Sequence, residues 1–197
     1  VIDQDTQAVI DRLEVVLATS ALSMRKFAHA LGTSPARFST YRTGKVAPSA
    51  AFLLRAERIA DALRQARRDK VPSVIDAFES IQRAHQQGDD DWTFALCVEA
   101  RDRLRDILRR QRTLASAWEA QPPVDVDDRW RTLLAAFVSH EFVEAGLPSP
   151  KWTNAPTLVT EWVLDTPRLT AAQIKRQTPA WLAERNIFIA EKDLVTL

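Results

Sequence analysis

Between Leu22 and Arg58 stand seven basic residues (Arg25, Lys26, Arg37, Arg42, Lys45, Arg55 and Arg58) and one acid, Glu57. A local field of that sign favours a polyanion, although the same charges can also form a solvated face. The chain's net charge of +1 conceals the division: residues 1–70 hold 12 Lys/Arg against 7 Asp/Glu, and residues 71–197 hold 15 against 19. The makings of a catalyst are thinner. Four glycines (Gly32, Gly44, Gly88 and Gly146) cannot assemble a Walker loop or a GxGxxG turn. A single cysteine, Cys97, excludes a CxxC zinc arrangement. His29, His85 and His140 stand far apart, so a metal or triad site would need distant parts of the chain. His140-Glu141-x-x-Glu144 is half of an HExxH metal motif without its second histidine, which leaves an ordinary helix surface as the expectation. We therefore expect no enzyme, no metal and no cofactor.

Placing the basic residues is a matter of helices. Val9, Ile10, Leu13, Val16 and Leu17 recur at helical spacing between Thr6 and Ser20. Ser23 can cap a second helix, Met24 to Leu31, with Phe27, Ala30 and Leu31 inward and Gly32 closing it in a left-handed turn. Ser34 is a good N-cap and Pro35 suits a first helical position, so a third helix starts there and ends before Gly44. Phe38 and Tyr41 pin it to the core, leaving Ala36, Arg37, Ser39 and Thr40 on the remaining surface. A fourth helix, from about Ser49 to Arg67, buries Leu53, Ala56, Ile59, Ala60 and Leu63.

A short helix, a tight glycine turn and a helix with small and basic residues outward is the arrangement that enters a major groove. The stretch Ala28-x-x-Leu31-Gly32-Thr33-Ser34, followed by Phe38, Tyr41, Gly44-Lys45 and Pro48-Ser49, resembles the phage-repressor-like XRE (Cro/C1) helix-turn-helix family over about residues 6–65. The resemblance implies a DNA-binding transcriptional regulator. Many relatives carry glutamine at the positions of Pro35 and Ala36; here Ala36 offers only an apolar contact to a thymine methyl, and base reading rests on Arg37 and Thr40. At the place of Arg42 the family often has a glutamate that pairs internally, so the arginine either reaches a phosphate or is exposed. Ser23, Arg25, Ser34, Thr43 and Lys45 fall where relatives hold the DNA backbone. With Ala36, Arg37, Ser39, Thr40 and Arg42 they make up the expected DNA-binding set.

Further along, Pro72-Ser73 opens a helix with Val74, Ile75, Phe78 and Ile81 at core spacing, closed by Gln86-Gln87-Gly88. Asp89-Asp90-Asp91 complement the positive end of the next helix dipole, and that helix can run from Asp89 to Trp118 without glycine or proline. Its arginines (Arg101, Arg103, Arg105, Arg109, Arg110, Arg112) circle it, as on a solvated helix, and its apolar stripe is expected to pack within the chain. Gln121-Pro122-Pro123 reads as a linker. Asp127-Asp128 then precede a helix with Trp130, Leu133, Leu134, Phe137 and Val138 that ends at Gly146.

All six tryptophans lie after residue 91. Trp152, Trp162 and Trp181 alternate with Pro156, Pro167 and Pro179, as in short helices joined by turns around an aromatic core or groove, and Ile187-Phe188-Ile189 can form one short strand. The tail from Thr178 to Ile189 looks like that of repressor-like antitoxins paired with a nucleotidyltransferase-like toxin. This implies an antitoxin of a type II toxin–antitoxin pair that binds its own promoter. Trp152, Trp162 and Trp181 would then grip the toxin, because aromatic residues dominate tight interfaces. Alternatives are a ligand-responsive repressor with a small-molecule pocket in the C-terminal segment, or an enzyme there using His140, Glu141 or Glu144.

At 197 residues the chain is long enough for two small units and a real core. The expected fold is all-α with at most a short strand: a four- to five-helix DNA-binding domain over 1–70, a connector with the long helix over 71–121, and a partner-binding domain over 122–197. The longest apolar run, Leu133 to Val138, is far short of a membrane span, the first residues lack the order of a secretory signal, and one cysteine forms no internal bridge. These point to the cytoplasm. Family members usually pair on two half-sites, so a homodimer on double-stranded DNA is expected.

Overall fold

The computed structural model describes residues 3–123, 126–166 and 168–194. Nine α-helices and one two-stranded sheet are formed among them, so the fold is all-α with a minimal strand pair. No helix is long and apolar enough to cross a membrane. The chain divides into two compact units instead of the three consecutive segments expected: Val1–Ile75 with Arg112–Pro123, and Asp76–Gln111 with Val124–Leu197. The charge division survives the new boundaries, with 13 Lys/Arg against 8 Asp/Glu in the first unit and 14 against 18 in the second.

The first unit is built from α1 (Gln4–Ser20), α2 (Met24–Ala30), α3 (Pro35–Arg42) and α4 (Ala50–Arg68). Each begins on a side chain that accepts from an otherwise unpaired helix amide: Asp3 for α1, Ser23 for α2, Ser34 for α3 and Ser49 for α4. Gly32 at φ 69° and Gly44 at φ 68° take the left-handed turns after α2 and α3. Leu13, Phe27, Phe38, Ala56 and Ile59 are fully buried between the helices, whereas Leu53, expected there, is only half-buried.

In the second unit, α5 (Val74–Gln86), which starts just before the boundary, is followed by α6 (Asp90–Arg110) and α7 (Asp128–Glu144). Asp89 caps α6 by accepting from the Trp92 amide at 2.8 Å, with Asp90 and Asp91 in the first turn. Asp127 caps α7. Two expectations for α6 are corrected. The helix stops at Arg110, and Arg112–Trp118 forms a 3-10 helix packed on α4 in the first unit. Leu114 to Trp118 are buried consecutively, which a single helical stripe cannot achieve, so enclosure from several sides overrides the continuous helical pattern. Nor is α6 solvated all round: Arg101 is buried and Arg105 half-buried, both turned toward Glu141 on α7.

The end of the chain forms β1 (Trp162–Val163), α8 (Ala171–Gln177), α9 (Ala180–Ala183) and β2 (Ile187–Phe188). The expected strand at Ile187-Phe188 pairs in parallel with β1, Trp162 opposite Ile187 and Val163 opposite Phe188. Asn186 precedes it at φ 58°, a conformation its short side chain tolerates, and donates from Nδ2 to the Leu158 carbonyl at 2.7 Å. Pro167 lies outside the described residues.

Candidate nucleic-acid interface

The exposed face of α3 is supported from behind by a stack of rings. Phe27 meets Phe38 edge-on with centroids 5.8 Å apart, and Phe52 lies 6.5 Å from Phe38 and 5.1 Å from Tyr41. Burying Phe38 and the Tyr41 ring fixes the rotation of α3 about its axis, so Ala36 and Arg37 are exposed, Ser39 and Thr40 partly so, and Thr43 exposed just past the helix end. Ala36, Thr40 and Thr43 follow one another at steps of four and three residues, which places these short side chains on one ridge. The Thr40 and Thr43 hydroxyls donate back to the Arg37 and Ser39 carbonyls, at 2.7 and 3.0 Å.

Ser23 and Ser34 sit exposed at the starts of α2 and α3, each Oγ accepting a backbone amide and keeping its own proton to donate outward. Arg25 is exposed in the first turn of α2, and Lys45 is exposed in the loop after Gly44. Helix N-termini with hydroxyl caps and nearby cations suit phosphate oxygens.

Among the seven basic residues, the fold sets three apart. Arg42 donates from Nε to Glu14 of α1 at 2.7 Å, so it is neither a free phosphate ligand nor simply exposed. Arg55 donates to the Leu31 carbonyl at 3.1 Å, and Arg58 pairs with Glu119 at 2.7 Å and donates to Ser116 at 3.1 Å. These three arginines are bonded within the unit, Arg58 while still half-exposed, and Arg25, Lys26, Arg37 and Lys45 are exposed as well.

Arg37 is directed by its neighbour. Its Nε donates to the Tyr41 hydroxyl at 2.6 Å and its guanidinium lies 5.7 Å from the centre of that ring. The hydrogen bond to Tyr41 favours the charged form still further in a group that is always protonated. The sequence presented Tyr41 only as a core residue; its hydroxyl role was open to discovery in the four-residue spacing from Arg37.

The returning segment was not foreseen at all. The Gln121 amide donates to the Ala30 carbonyl at 2.8 Å, His29 Nε2 donates to the Pro122 carbonyl at 2.9 Å, and Gln121 Oε1 lies 3.1 Å from where a Cβ on Gly32 would sit. With Arg55 on Leu31, the last carbonyls of α2 are satisfied and the turn into α3 is braced.

In the second unit the three tryptophans expected to grip a partner are engaged inside the unit. Trp152 is buried edge-on to Phe78 at 5.7 Å, Trp162 meets Trp130 at 4.8 Å, and Trp181 is stacked flat on His140 at 4.2 Å. They pack against the buried aromatic and aliphatic side chains of α5 and α7, Trp152 fully and Trp162 and Trp181 in part. The exposed tryptophan is Trp92, at 53%. His140, Glu141 and Glu144 do not converge: Glu144 is exposed, His140 lies on Trp181, and Glu141 turns to Arg101 and Arg105 at 2.7 and 2.8 Å. Burial would raise the Glu141 carboxyl, but the hydrogen bonds and charges of the two arginines hold it below the usual carboxylate range. Burial lowers His140 against the pull of Glu141.

No family model, curated protein or solved structure matches the chain.

Proposed function

We propose that the chain is a duplex-DNA-binding transcriptional regulator that lays α3 in the major groove, with Arg37 and Thr40 toward the bases and Ser23, Arg25, Ser34, Thr43 and Lys45 toward phosphates. The observation that carries this reading is the sorting of charge: Arg42, Arg55 and Arg58 are bonded to Glu14, the Leu31 carbonyl and Glu119 within the unit, while Arg25, Arg37 and Lys45 are exposed on the side that carries two hydroxyl-capped helix starts and a ridge of short side chains. Short residues let the helix backbone approach the groove, and phosphate contacts set the register in which bases are read. One such module reads few base pairs, so the working form is a homodimer on two half-sites.

We extend the proposal to an antitoxin role, in which the first unit binds the chain's own promoter and the second holds a toxin. It is supported by the net negative charge of the second unit and by the resemblance of the Thr178–Ile189 tail. The test of the DNA reading is fluorescence anisotropy with a labelled duplex from the region upstream of the gene. Affinity should fall linearly on a log–log plot as salt rises, with a smaller slope for Lys45→Ala. Absence of binding at low ionic strength would refute it. The toxin reading is tested by expressing the neighbouring gene alone and together with this chain: growth arrest relieved by this chain supports it, and no arrest removes it.

A further inference from the structure

Arg37 is the one long side chain on the exposed part of α3 that is tied down without being neutralised. Its Nε is occupied by the Tyr41 hydroxyl, its guanidinium leans over the Tyr41 ring, and that ring is itself buried against Phe52 at 5.1 Å. An untethered arginine explores many rotamers; this one is anchored at Nε to a residue that cannot move without repacking the core. With Nε engaged, the N–H groups left to a ligand are those on Nη1 and Nη2, a planar pair. Of the base edges in a major groove, guanine alone offers two adjacent acceptors, O6 and N7, to such a pair; adenine presents a donor beside N7 and so repels one of the two. Neighbouring Ala36 and Thr40 are too short to block that approach.

Resting on the duplex-binding reading above, we infer that the base read by this helix is guanine, and that Tyr41, which touches no DNA, is the positioning residue that presents Arg37 to it through Nη1 and Nη2.

The experiment is selection from a random-sequence duplex library by the full chain, followed by affinity measurements on the selected duplex and on the same duplex with 7-deazaguanine, which lacks the N7 acceptor, at the enriched guanine. The wild-type chain should enrich guanine at one position in each half-site and bind the deaza duplex about tenfold more weakly, the loss of one member of a bidentate pair. In Tyr41→Phe, which keeps the ring and removes the hydroxyl, that ratio should fall toward one. A loss of folded protein lowers both affinities together and does not move the ratio. Arg37→Ala, on an exposed position, removes the donors altogether and should lose the ratio too. Selection of a sequence without a fixed guanine, or an unchanged ratio in Tyr41→Phe or Arg37→Ala, would overturn the inference while leaving duplex binding intact. Failure of the wild-type chain to retain any duplex at low salt is the different result that removes the duplex-binding reading and this inference together.

Discussion

Arg37 in the first unit and Arg101 in the second both lie against an aromatic ring, 5.7 Å from Tyr41 and 5.4 Å from Phe137, and both donate from Nε to an oxygen at 2.6–2.7 Å. The oxygen makes the difference. Tyr41 supplies a neutral hydroxyl on an exposed helix face, so the charge of Arg37 stays available to a ligand. Glu141 supplies a buried carboxylate that also takes Arg105, so the charge of Arg101 is consumed in joining α6 to α7. An arginine count therefore says little about polyanion binding until each guanidinium's partner is known.

The comparison breaks most sharply through core variants. Phe38→Ala opens a cavity behind α3 and should cost about 3–5 kcal/mol, with loss of duplex binding although Phe38 touches no DNA. Glu141→Ala leaves Arg101 buried without its counter-charge and should cost about 3 kcal/mol, discounted from a fully buried pair because Arg105 is a third exposed. Urea denaturation reads both, and Arg37→Ala should leave that midpoint almost unmoved.

Next in size is binding. Arg37→Ala should cost about 1–3 kcal/mol on the preferred duplex and little on random sequence, whereas Lys45→Ala should weaken all sequences alike. Equal losses from the two variants on every duplex would remove the distinction between reading and anchoring.

Acid sharpens the contrast without mutation. Because the folded Glu141 carboxyl sits below its ordinary value of 4.5, its contribution is complete above that pH and is lost as pH falls through the lowered value. His140, also lowered from 6.5, favours the folded state above 6.5 and opposes it below, where the unfolded chain takes the proton more readily. The protection of α7 amides, corrected for the intrinsic exchange rate at each pH, should therefore fall from about pH 6.5 downward and again below 4.5. Arg37 keeps its charge throughout. A stability flat over this range would contradict the assignment.

The smallest effect belongs to the Arg42–Glu14 pair, with side chains 27% and 48% exposed. Either single charge reversal should cost at most about 1 kcal/mol, and the double exchange, Arg42→Glu with Glu14→Arg, should restore most of it in a double-mutant cycle.

Local signals carried the first unit. Ser23, Ser34 with Pro35, and Ser49 mark helix starts by chemistry confined to one turn, and Gly32 and Gly44 mark ends by a conformation that glycine adopts freely; all sit where the sequence places them. Asp89 and Asp127 act in the same way in the second unit. What escaped was set by partners far along the chain. Nothing near Arg110 announces the end of α6, because the cause is the burial of Leu114–Trp118 against α4. The Trp162–Ile187 pairing joins residues separated by two helices, and Arg101 reads as solvated until Glu141, on α7, is brought beside it. For the candidate interface, the exposed residues were legible from helical spacing, but the internal partners of Arg42, Arg55 and Arg58 were not, since Glu14 and Glu119 lie on separate elements.

The most direct test of the account is a backbone amide NMR titration of the whole chain with the duplex from upstream of its gene. Shifts should concentrate at the starts of α2 and α3, along Ser34–Thr40 and at Thr43–Lys45, with α6 and α7 unaffected. Shifts centred on the second unit, or none at saturating duplex, would contradict the claim that Arg25, Arg37 and Lys45 on the exposed face of the first unit are the DNA-binding cations.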